Sequence, residues 1–239
     1  MLFRSQRQTQ AKTTRHLRAL MVGHLREEKS PQTYFEAARL LAARPDILLD
    51  HIGGGLDPAL ADEARALMRC QVQNPSQNPS QNPSQNPRQN PRQNPRQNPR
   101  HNPLQNPPHY RWLGGLPHKA TRARIQAAHV LVHASRMEGG AHVVIEAITS
   151  GTPVLASRID GNLGLLGADY SGTFDWGDAE GLAALLRRCR DDAAMLPALQ
   201  AQCAARAPLF LPDRERQSLL SLLTHLQPKP HTGEARERP

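Results

Sequence analysis

Two glutamates eight residues apart, Glu138 and Glu146, mark the segment of this chain best suited to binding chemistry. Gly139 and Gly140 follow Glu138 directly, and the apolar periodicity after them predicts a helix to Ser150. A helix start offers free backbone N–H groups and partial positive charge, and glycine lets a ligand approach the backbone. Carboxylates accept hydrogen bonds from hydroxyl groups. The spacing therefore predicts a site for an anionic, hydroxyl-rich ligand.

Strands on both sides must position this helix. Residues 129–134 and 153–157 are short apolar runs typical of buried strands, so strand, glycine turn, helix and strand form a βαβ unit. Further strands are predicted at 20–22, 47–52 and 110–113, and further helices at 31–43, 58–68, 119–128, 179–190, 193–206 and 212–226. Residues 158–172 are predicted as a glycine-studded loop region.

The helix starts carry recognisable capping residues. Ser30 before Pro31 is predicted to cap one helix, and Asp57 and Asp178 to cap two others.

The alternation of strands and helices predicts an α/β fold, a Rossmann-like doubly wound parallel sheet. In such sheets ligands bind beyond the carboxyl ends of the strands. The loops at 23–29 and 136–140 both fall at that end, so they are predicted to face the same ligand.

The formal charge of +9 invites a nucleic-acid interpretation, but its distribution argues against one. Residues 1–18 carry +5, the repeat described below carries +4 and residues 227–239 carry +1, which leaves −1 for the globular part. The basic charge therefore lies in the segments without globular pattern, and nucleic-acid binding is not expected to be the function.

A tetrapeptide repeat interrupts the globular pattern. From residue 73 to residue 107 the unit Gln-Asn-Pro-Ser/Arg recurs about nine times, and proline at every fourth position is incompatible with helix and sheet. We interpret it as a disordered low-complexity insertion in one Rossmann-like domain of residues 19–226. Residues 1–18 are predicted to form a disordered basic N-terminus, and residues 227–239 a disordered tail. A surface insertion without function and a binding tract both remain open for the repeat.

The three cysteines, Cys70, Cys189 and Cys203, lie far apart and indicate reduced structural thiols. No metal site, cofactor, signal peptide or membrane segment is predicted, and the expected location is the cytoplasm.

Three sequence segments resemble a known family. They are GHLREEK at 23–29, SRMEGGA at 135–141, and SRI with the residues that follow it to Tyr170. Residues 20–72 and 108–226 resemble the C-terminal nucleotide-sugar-binding domain of a family 4 glycosyltransferase of the two-domain GT-B architecture. Within that superfamily these segments are most similar to the selenosugar synthases of selenoneine biosynthesis. That family joins selenophosphate to the sugar of a UDP-sugar, so UDP-sugar and selenophosphate are the implied substrates.

The resemblance implies roles for individual residues. Glu146 resembles the residue that grips the nucleotide ribose, and Glu138 resembles the catalytic carboxylate near the donor sugar and the reaction centre. Main-chain amides at Gly139 and Gly140 would approach the donor, while Lys29 and Arg26 would neutralise the diphosphate.

Other residues near these loops leave more than one interpretation. His24 stands where family 4 enzymes commonly carry arginine. The sequence therefore does not decide which side chain contacts the diphosphate. Asn162 is interpreted as a loop-fixing residue that faces the cleft. His129, His133 and His142 are interpreted as packing or rim residues, and His142 has the best functional claim because it begins the helix after the glycines. Trp112 and Trp176 are interpreted as core or rim anchors.

Two-domain glycosyltransferases hold the acceptor in an N-terminal domain for which this sequence shows no pattern. We therefore hypothesise a truncated copy that retains the donor-binding half and has little or no turnover. Two alternatives remain: a nucleotide-sugar-binding module with a separately encoded N-terminal domain as its partner, or an interaction protein whose basic arm and repeat bind an acidic polymer.

Overall fold

Two six-residue runs form the centre of the sheet: β1 (Leu17–Val22) and β2 (Ile47–Ile52). They pair in parallel along their whole length, and every residue of β2 is buried. The buried carboxylate of Asp50 in β2 is compensated by Arg111, whose Nε and Nη2 donate to its two oxygens at 2.8 and 2.9 Å. The computed structural model describes residues 15–72 and 109–226, so predictions for 1–14, 73–108 and 227–239 lie outside the described residues.

The remaining strands are shorter. They are β3 (Tyr110–Trp112), β4 (Val130–His133), β5 (Val154–Ser157) and β6 (Thr173–Phe174). All pairings are parallel, and the strand order is β3-β2-β1-β4-β5-β6. The chain reverses its direction of travel across the sheet between β1 and β4. At such a point the loops leaving two adjacent strands diverge and open a crevice at the carboxyl edge of the sheet.

Helices connect the strands and cover the sheet. They are α1 (Pro31–Leu40), α2 (Pro58–Val72), α3 (His118–Ala127), α4 (His142–Thr149), α5 (Asp160–Leu166), α6 (Ala179–Asp191), α7 (Met195–Arg206) and α8 (Pro212–Leu226). None of the described helices is both long enough and apolar enough to cross a lipid bilayer.

The predicted α/β fold with a parallel sheet is confirmed, but several boundaries differ. β1 begins at Leu17, so residues 17 and 18 belong to the sheet and not to a disordered N-terminus. The predicted loop at 158–172 is wrong in part, because α5 occupies its centre. β6, which follows it, was not predicted. Both are short elements in glycine-containing sequence, where periodicity has too few residues to show.

The predicted helix caps divide into two kinds. Asp57 accepts from the backbone N–H groups of Ala59 and Leu60 at 2.8 and 3.2 Å, and Asp178 accepts from Gly181 N–H at 2.8 Å, as expected. Ser30 precedes α1 as predicted, but its side chain makes no capping hydrogen bond. Its backbone is left-handed at φ 47°, and its hydroxyl oxygen accepts instead from Trp176.

The core lies between the helices and the sheet and includes two of the cysteines. Cys189 and Cys203 are buried free thiols, and burial raises the pKa of Cys189 to about 12. Both thiols therefore behave as apolar core groups at neutral pH, which agrees with the prediction for this pair.

Candidate active site at the carboxyl edge of the sheet

Glu138 lies in the loop after β4 and receives a cation from the loop after β1. Lys29 Nζ donates to its Oε1 across 109 positions of sequence, and both side chains are largely shielded from solvent. Nε2 of the buried His133 lies 3.5 Å from the same oxygen. These neighbours, His133 first and then Lys29 and Ser135, hold the pKa of Glu138 at about 2 against the opposing effect of burial. Glu138 is therefore an anion throughout the physiological pH range.

The start of α4 is open. Gly139 and Gly140 are exposed, and a methyl group added to either would meet no atom within 4 Å. No described residue accepts a hydrogen bond from the backbone N–H groups of residues 139–143. These amides and the positive end of the helix are free to receive an anionic group beside Glu138.

The segment after β5 packs against the backbone of Glu138 and fixes its position. Gly161 in α5 lies so close to Glu138 that an added Cβ would overlap the Glu138 carbonyl oxygen. The next residue, Asn162, is fully buried and donates from Nδ2 to the Ser157 carbonyl at 2.9 Å. Ser157 in turn donates from Oγ to the Ser135 carbonyl at 2.6 Å. The loops after β4 and β5 are thus joined by close packing and a chain of buried hydrogen bonds.

Glu146 occupies the middle of α4 with 27% of its side chain exposed. Nε2 of His118, the first residue of α3, lies 2.7 Å from Glu146 Oε1. The imidazole is itself 72% exposed, so the pair lies at the protein surface. Glu146 is therefore accessible and pre-oriented, as a carboxylate that binds hydroxyl groups would need to be.

The loops after β1 and β2 are tied together beside this crevice. Gly53 lies against the Gly23 carbonyl so closely that a Cβ would overlap it. His51 Nε2 donates to the same carbonyl at 3.0 Å, while its Nδ1 accepts from the Tyr110 hydroxyl at 3.1 Å. Burial lowers the pKa of His51 to about 4, so the ring stays neutral and keeps this donor and acceptor arrangement.

An aromatic contact completes the rim. Trp176, in the loop after β6, is 49% exposed and donates from Nε1 to Ser30 Oγ at 2.8 Å. The Arg136 guanidinium lies 5.2 Å from the centre of the Trp176 ring, and the Arg136 N–H donates to the Glu28 carbonyl at 2.9 Å. Loops from three strands therefore meet at one side of the crevice.

Comparison with known proteins shows a similarity to one family over part of the chain. Residues 95–208, which include β4, α4 and both glutamates, match the family model of the glycosyl transferases group 1. This part of the chain is similar to glycosyl transferases group 1. No curated protein sequence matches the chain.

Solved structures share the fold of this chain at low sequence identity. Anabaena Alr3699/HepE in complex with UDP and glucose is 17% identical with a TM-score of 0.64, and sucrose-phosphate synthase from Thermosynechococcus elongatus is 22% identical with a TM-score of 0.62. The matches cover 89% and 90% of this chain but only 49% and 46% of those proteins. The chain thus spans about half of their length.

A third structure is matched over nearly its whole length. The catalytic domain of cholesterol-alpha-glucosyltransferase from Helicobacter pylori is 16% identical with a TM-score of 0.58, over 82% of this chain and 99% of that one. Together these similarities confirm the Rossmann-like fold of GT-B glycosyltransferases.

The sequence-predicted site residues fall into two groups. Lys29, Glu138, Gly139 and Gly140 come together as predicted, although the Lys29 ammonium contacts the Glu138 carboxylate. His142 begins α4 and is exposed beside these glycines. The predicted roles of these residues remain predictions.

The other predicted residues have structural partners. Arg26 lies 3.9 Å from Glu28 with its side chain 45% exposed. His24 accepts from the Gly54 N–H through Nδ1 at 2.9 Å, so it joins two loops. Asn162 fixes a loop through its bonds to Ser157, which is the structural part of its prediction.

Two residues of the site region were given no site role from the sequence: His118, which contacts Glu146, and His133, which was interpreted as a packing or rim residue and approaches Glu138. Trp176, interpreted as a core or rim anchor, lies at the rim. The position of His133 at the end of an apolar strand was a usable signal, because it is the first polar side chain at the carboxyl edge. No sequence pattern links His118 or Trp176 to their distant partners.

Proposed function

We propose that this chain is the donor-binding half of a glycosyltransferase that uses a UDP-sugar. The observation that carries the proposal is the crevice between β1 and β4, where Lys29, Glu138 and the open start of α4 converge. Similar structures bear on the donor, because Alr3699/HepE was solved in complexes with UDP, with UDP and glucose, and with UDP-glucose. The donor proposed for this chain carries glucose or N-acetylglucosamine.

The proposed binding mode divides the donor along α4. Glu146, held by His118, accepts hydrogen bonds from the ribose hydroxyls. The diphosphate lies over the free N–H groups at 139–143, where the helix start supplies positive charge without a metal ion. Lys29 and Arg26 add cationic charge as the leaving group forms, and Glu138 faces the sugar.

The proposed acceptor is selenophosphate, with a selenosugar for selenoneine biosynthesis as the product. Its support is the resemblance of the loops at 23–29, 135–141 and 157–170 to selenosugar synthases. In the transfer, selenium forms a bond to the anomeric carbon of the sugar while the bond from that carbon to the UDP oxygen breaks. The electron pair of that bond leaves on the β-phosphate of UDP. The immediate product is the sugar joined through selenium to phosphate, and hydrolysis of the Se–P bond by water gives the selenosugar and inorganic phosphate.

A binding module that works with a complementary domain is the second candidate. It is favoured by the half-length match to the Anabaena and Thermosynechococcus structures and by α8, which has no buried residue. Five leucines of α8 are 53–70% exposed, namely Leu219, Leu220, Leu222, Leu223 and Leu226. A contiguous exposed apolar face of this kind marks an interaction surface. On this reading the chain binds the donor but releases UDP only when the complementary domain is added.

Calorimetric titration with UDP, UDP-glucose and UDP-N-acetylglucosamine tests the proposal. We expect saturable binding that falls about tenfold or more in Lys29→Ala and in Glu146→Ala, since each variant removes a charged contact to the nucleotide. An Arg214→Gln variant on α8 is the control and should bind as wild type does. Absence of UDP binding, together with salt-sensitive nucleic-acid binding, would instead identify a basic interaction protein.

Turnover by the chain alone supports the first candidate, whereas UDP release only after addition of the complementary domain supports the second. The acceptor is tested in the same assay. UDP release that requires selenophosphate supports a selenosugar synthase. Release that proceeds equally well with water or with a sugar acceptor contradicts selenophosphate as the acceptor.

A further inference from the structure

The Glu138 carboxylate is contacted on one side only. Lys29 Nζ donates to Oε1, and His133 Nε2 lies 3.5 Å from that same atom. Oε2 makes no hydrogen bond to any described residue. A carboxylate has lone pairs on both oxygens, so Oε2 retains its full capacity to accept from a ligand.

Two buried polar groups lie beside this carboxylate and make no hydrogen bond of ordinary geometry in the described part of the chain. His133 is 2% exposed and its Nε2 approaches Glu138 Oε1 only to 3.5 Å, and Ser135 is 1% exposed with no hydrogen bond at Oγ. Buried polar groups in folded proteins nearly always have a partner, and exceptions call for an explanation such as a ligand or a functional role. Both atoms belong to the end of β4 or to the loop directly after it, which faces the crevice.

The strand residues beside His133 offer its side chain no polar partner. The preceding strand residues Val130, Leu131 and Val132 are fully buried apolar side chains. In the parallel register His133 lies beside Ala156 of β5, which offers no side-chain partner. Nε2 lies 3.5 Å from Oε1 of Glu138, the carboxylate oxygen that Lys29 also contacts.

We infer that His133 is the positioning residue for Glu138, and that the two act together on the sugar of the donor. Lys29 and His133 hold Oε1 from two sides, so that Oε2 points to one sugar hydroxyl and accepts its hydrogen bond. Ser135 Oγ supports the same carboxylate from the base of the loop. This inference rests on the proposed function, because it assigns the sugar end of the same donor site.

A purely packing role of His133 would not distinguish the sugar contact of the donor from its nucleotide contact. Glu146, the proposed ribose contact, lies farther along α4 and is held by His118 of α3, and the helix-start amides are proposed to receive the diphosphate. Loss of His133 should therefore weaken the sugar contact and leave the nucleotide contact intact. The measurable quantity is the ratio of the Kd for UDP to the Kd for the UDP-sugar.

The experiment compares two variants at one position. His133→Leu removes the ring nitrogens but keeps an apolar side chain, and His133→Asn keeps a polar donor. Kd values for UDP, UDP-glucose and UDP-N-acetylglucosamine are measured by calorimetry for wild type, both variants and the exposed control His225→Leu. Thermal unfolding checks that each variant remains folded.

We expect His133→Leu to weaken UDP-sugar binding about tenfold while UDP binding stays within about twofold of wild type. His133→Asn should recover part of the loss, and His225→Leu should change nothing. If His133→Leu weakens UDP and UDP-sugar by the same factor, the inference is wrong while the proposed function stands. If the wild-type protein binds neither ligand, the proposed function itself fails and this inference fails with it.

Discussion

Charged and polar side chains differ in their hydrogen bonding at the two edges of the sheet. At the amino edge, the Arg44 guanidinium makes two hydrogen bonds to Asp46 and two to Asp191, at 2.6–3.1 Å. Arg44 holds the pKa of Asp46 below its usual range. At the carboxyl edge, His133 Nε2, Ser135 Oγ and Asn162 Oδ1 are buried without a hydrogen bond to any described residue. By contrast, the two charged nitrogens of this kind at the amino edge, Arg18 Nε and Arg190 Nε, lie 3.9 and 2.8 Å from carboxylate oxygens of Asp50 and Asp46.

We infer that the amino edge contributes mainly to stability and the carboxyl edge mainly to binding. Charges at the amino edge are matched within the protein, so they contribute to holding α1, β2 and α6 together. Polar groups at the carboxyl edge are held in place without hydrogen bonds of their own, and the proposed donor would supply partners there. Four predictions test this contrast, in order of decreasing effect.

Gly161→Ala should disrupt the carboxyl edge most. The added methyl group would overlap the Glu138 carbonyl oxygen, so the loop that carries Glu138 must move. We expect a loss of about 1–3 kcal/mol of unfolding free energy and of at least tenfold in UDP-sugar affinity. Gly164→Ala in the same helix is the matched control, because its methyl group meets no atom within 4 Å. Wild-type binding by Gly161→Ala would show that the loop position is not critical.

Acid should remove the contribution of Glu138. Its pKa is about 2 in the folded protein against an ordinary value of 4.5, so the ionised form stabilises the fold above about pH 4.5. This contribution is lost as the pH falls from 4.5 to 2. The difference in unfolding free energy between wild type and Glu138→Gln should therefore shrink over that range. A constant difference from pH 6 to pH 2 would contradict the effect of Lys29 and His133 on Glu138.

Arg44→Gln should affect stability alone. It removes the ion pairs at the amino edge, and because these side chains are partly exposed we expect Tm to fall by only about 2–4 °C. UDP affinity should not change. Arg214→Gln, which removes an arginine without a described ion pair, is the control for the loss of positive charge. A marked loss of UDP binding in Arg44→Gln would break the proposed division between the two edges.

His118→Ala should have the smallest effect. It removes the 2.7 Å contact to Glu146 Oε1 but leaves the carboxylate in place on α4. Since the imidazole is exposed, we expect UDP affinity to fall only about threefold. Calorimetry against Glu146→Ala checks this order, and an equal loss in both variants would mean that His118 itself binds the nucleotide.

The local part of the site was predictable because its signals lie close together in the sequence. The apolar runs of β4 and β5, the two glycines and the periodicity of α4 specify a βαβ unit with Glu138 before the helix and Glu146 inside it. The sequence also predicted that the loops carrying Lys29 and Glu138 lie near each other, since the carboxyl ends of parallel strands meet at one edge of the sheet. The two-residue β6 and the seven-residue α5 did not follow, because elements so short carry almost no periodicity.

By itself, the sequence determined the α/β order of elements, the loops at the carboxyl edge and the residue types available there. Only the tertiary structure decided which atoms meet: Lys29 with Glu138, His118 with Glu146, and Gly161 against the Glu138 backbone. The reason is physical. Strand and helix patterns arise from neighbours along the chain, whereas these contacts join residues 23 to 109 positions apart and depend on how the strands pack.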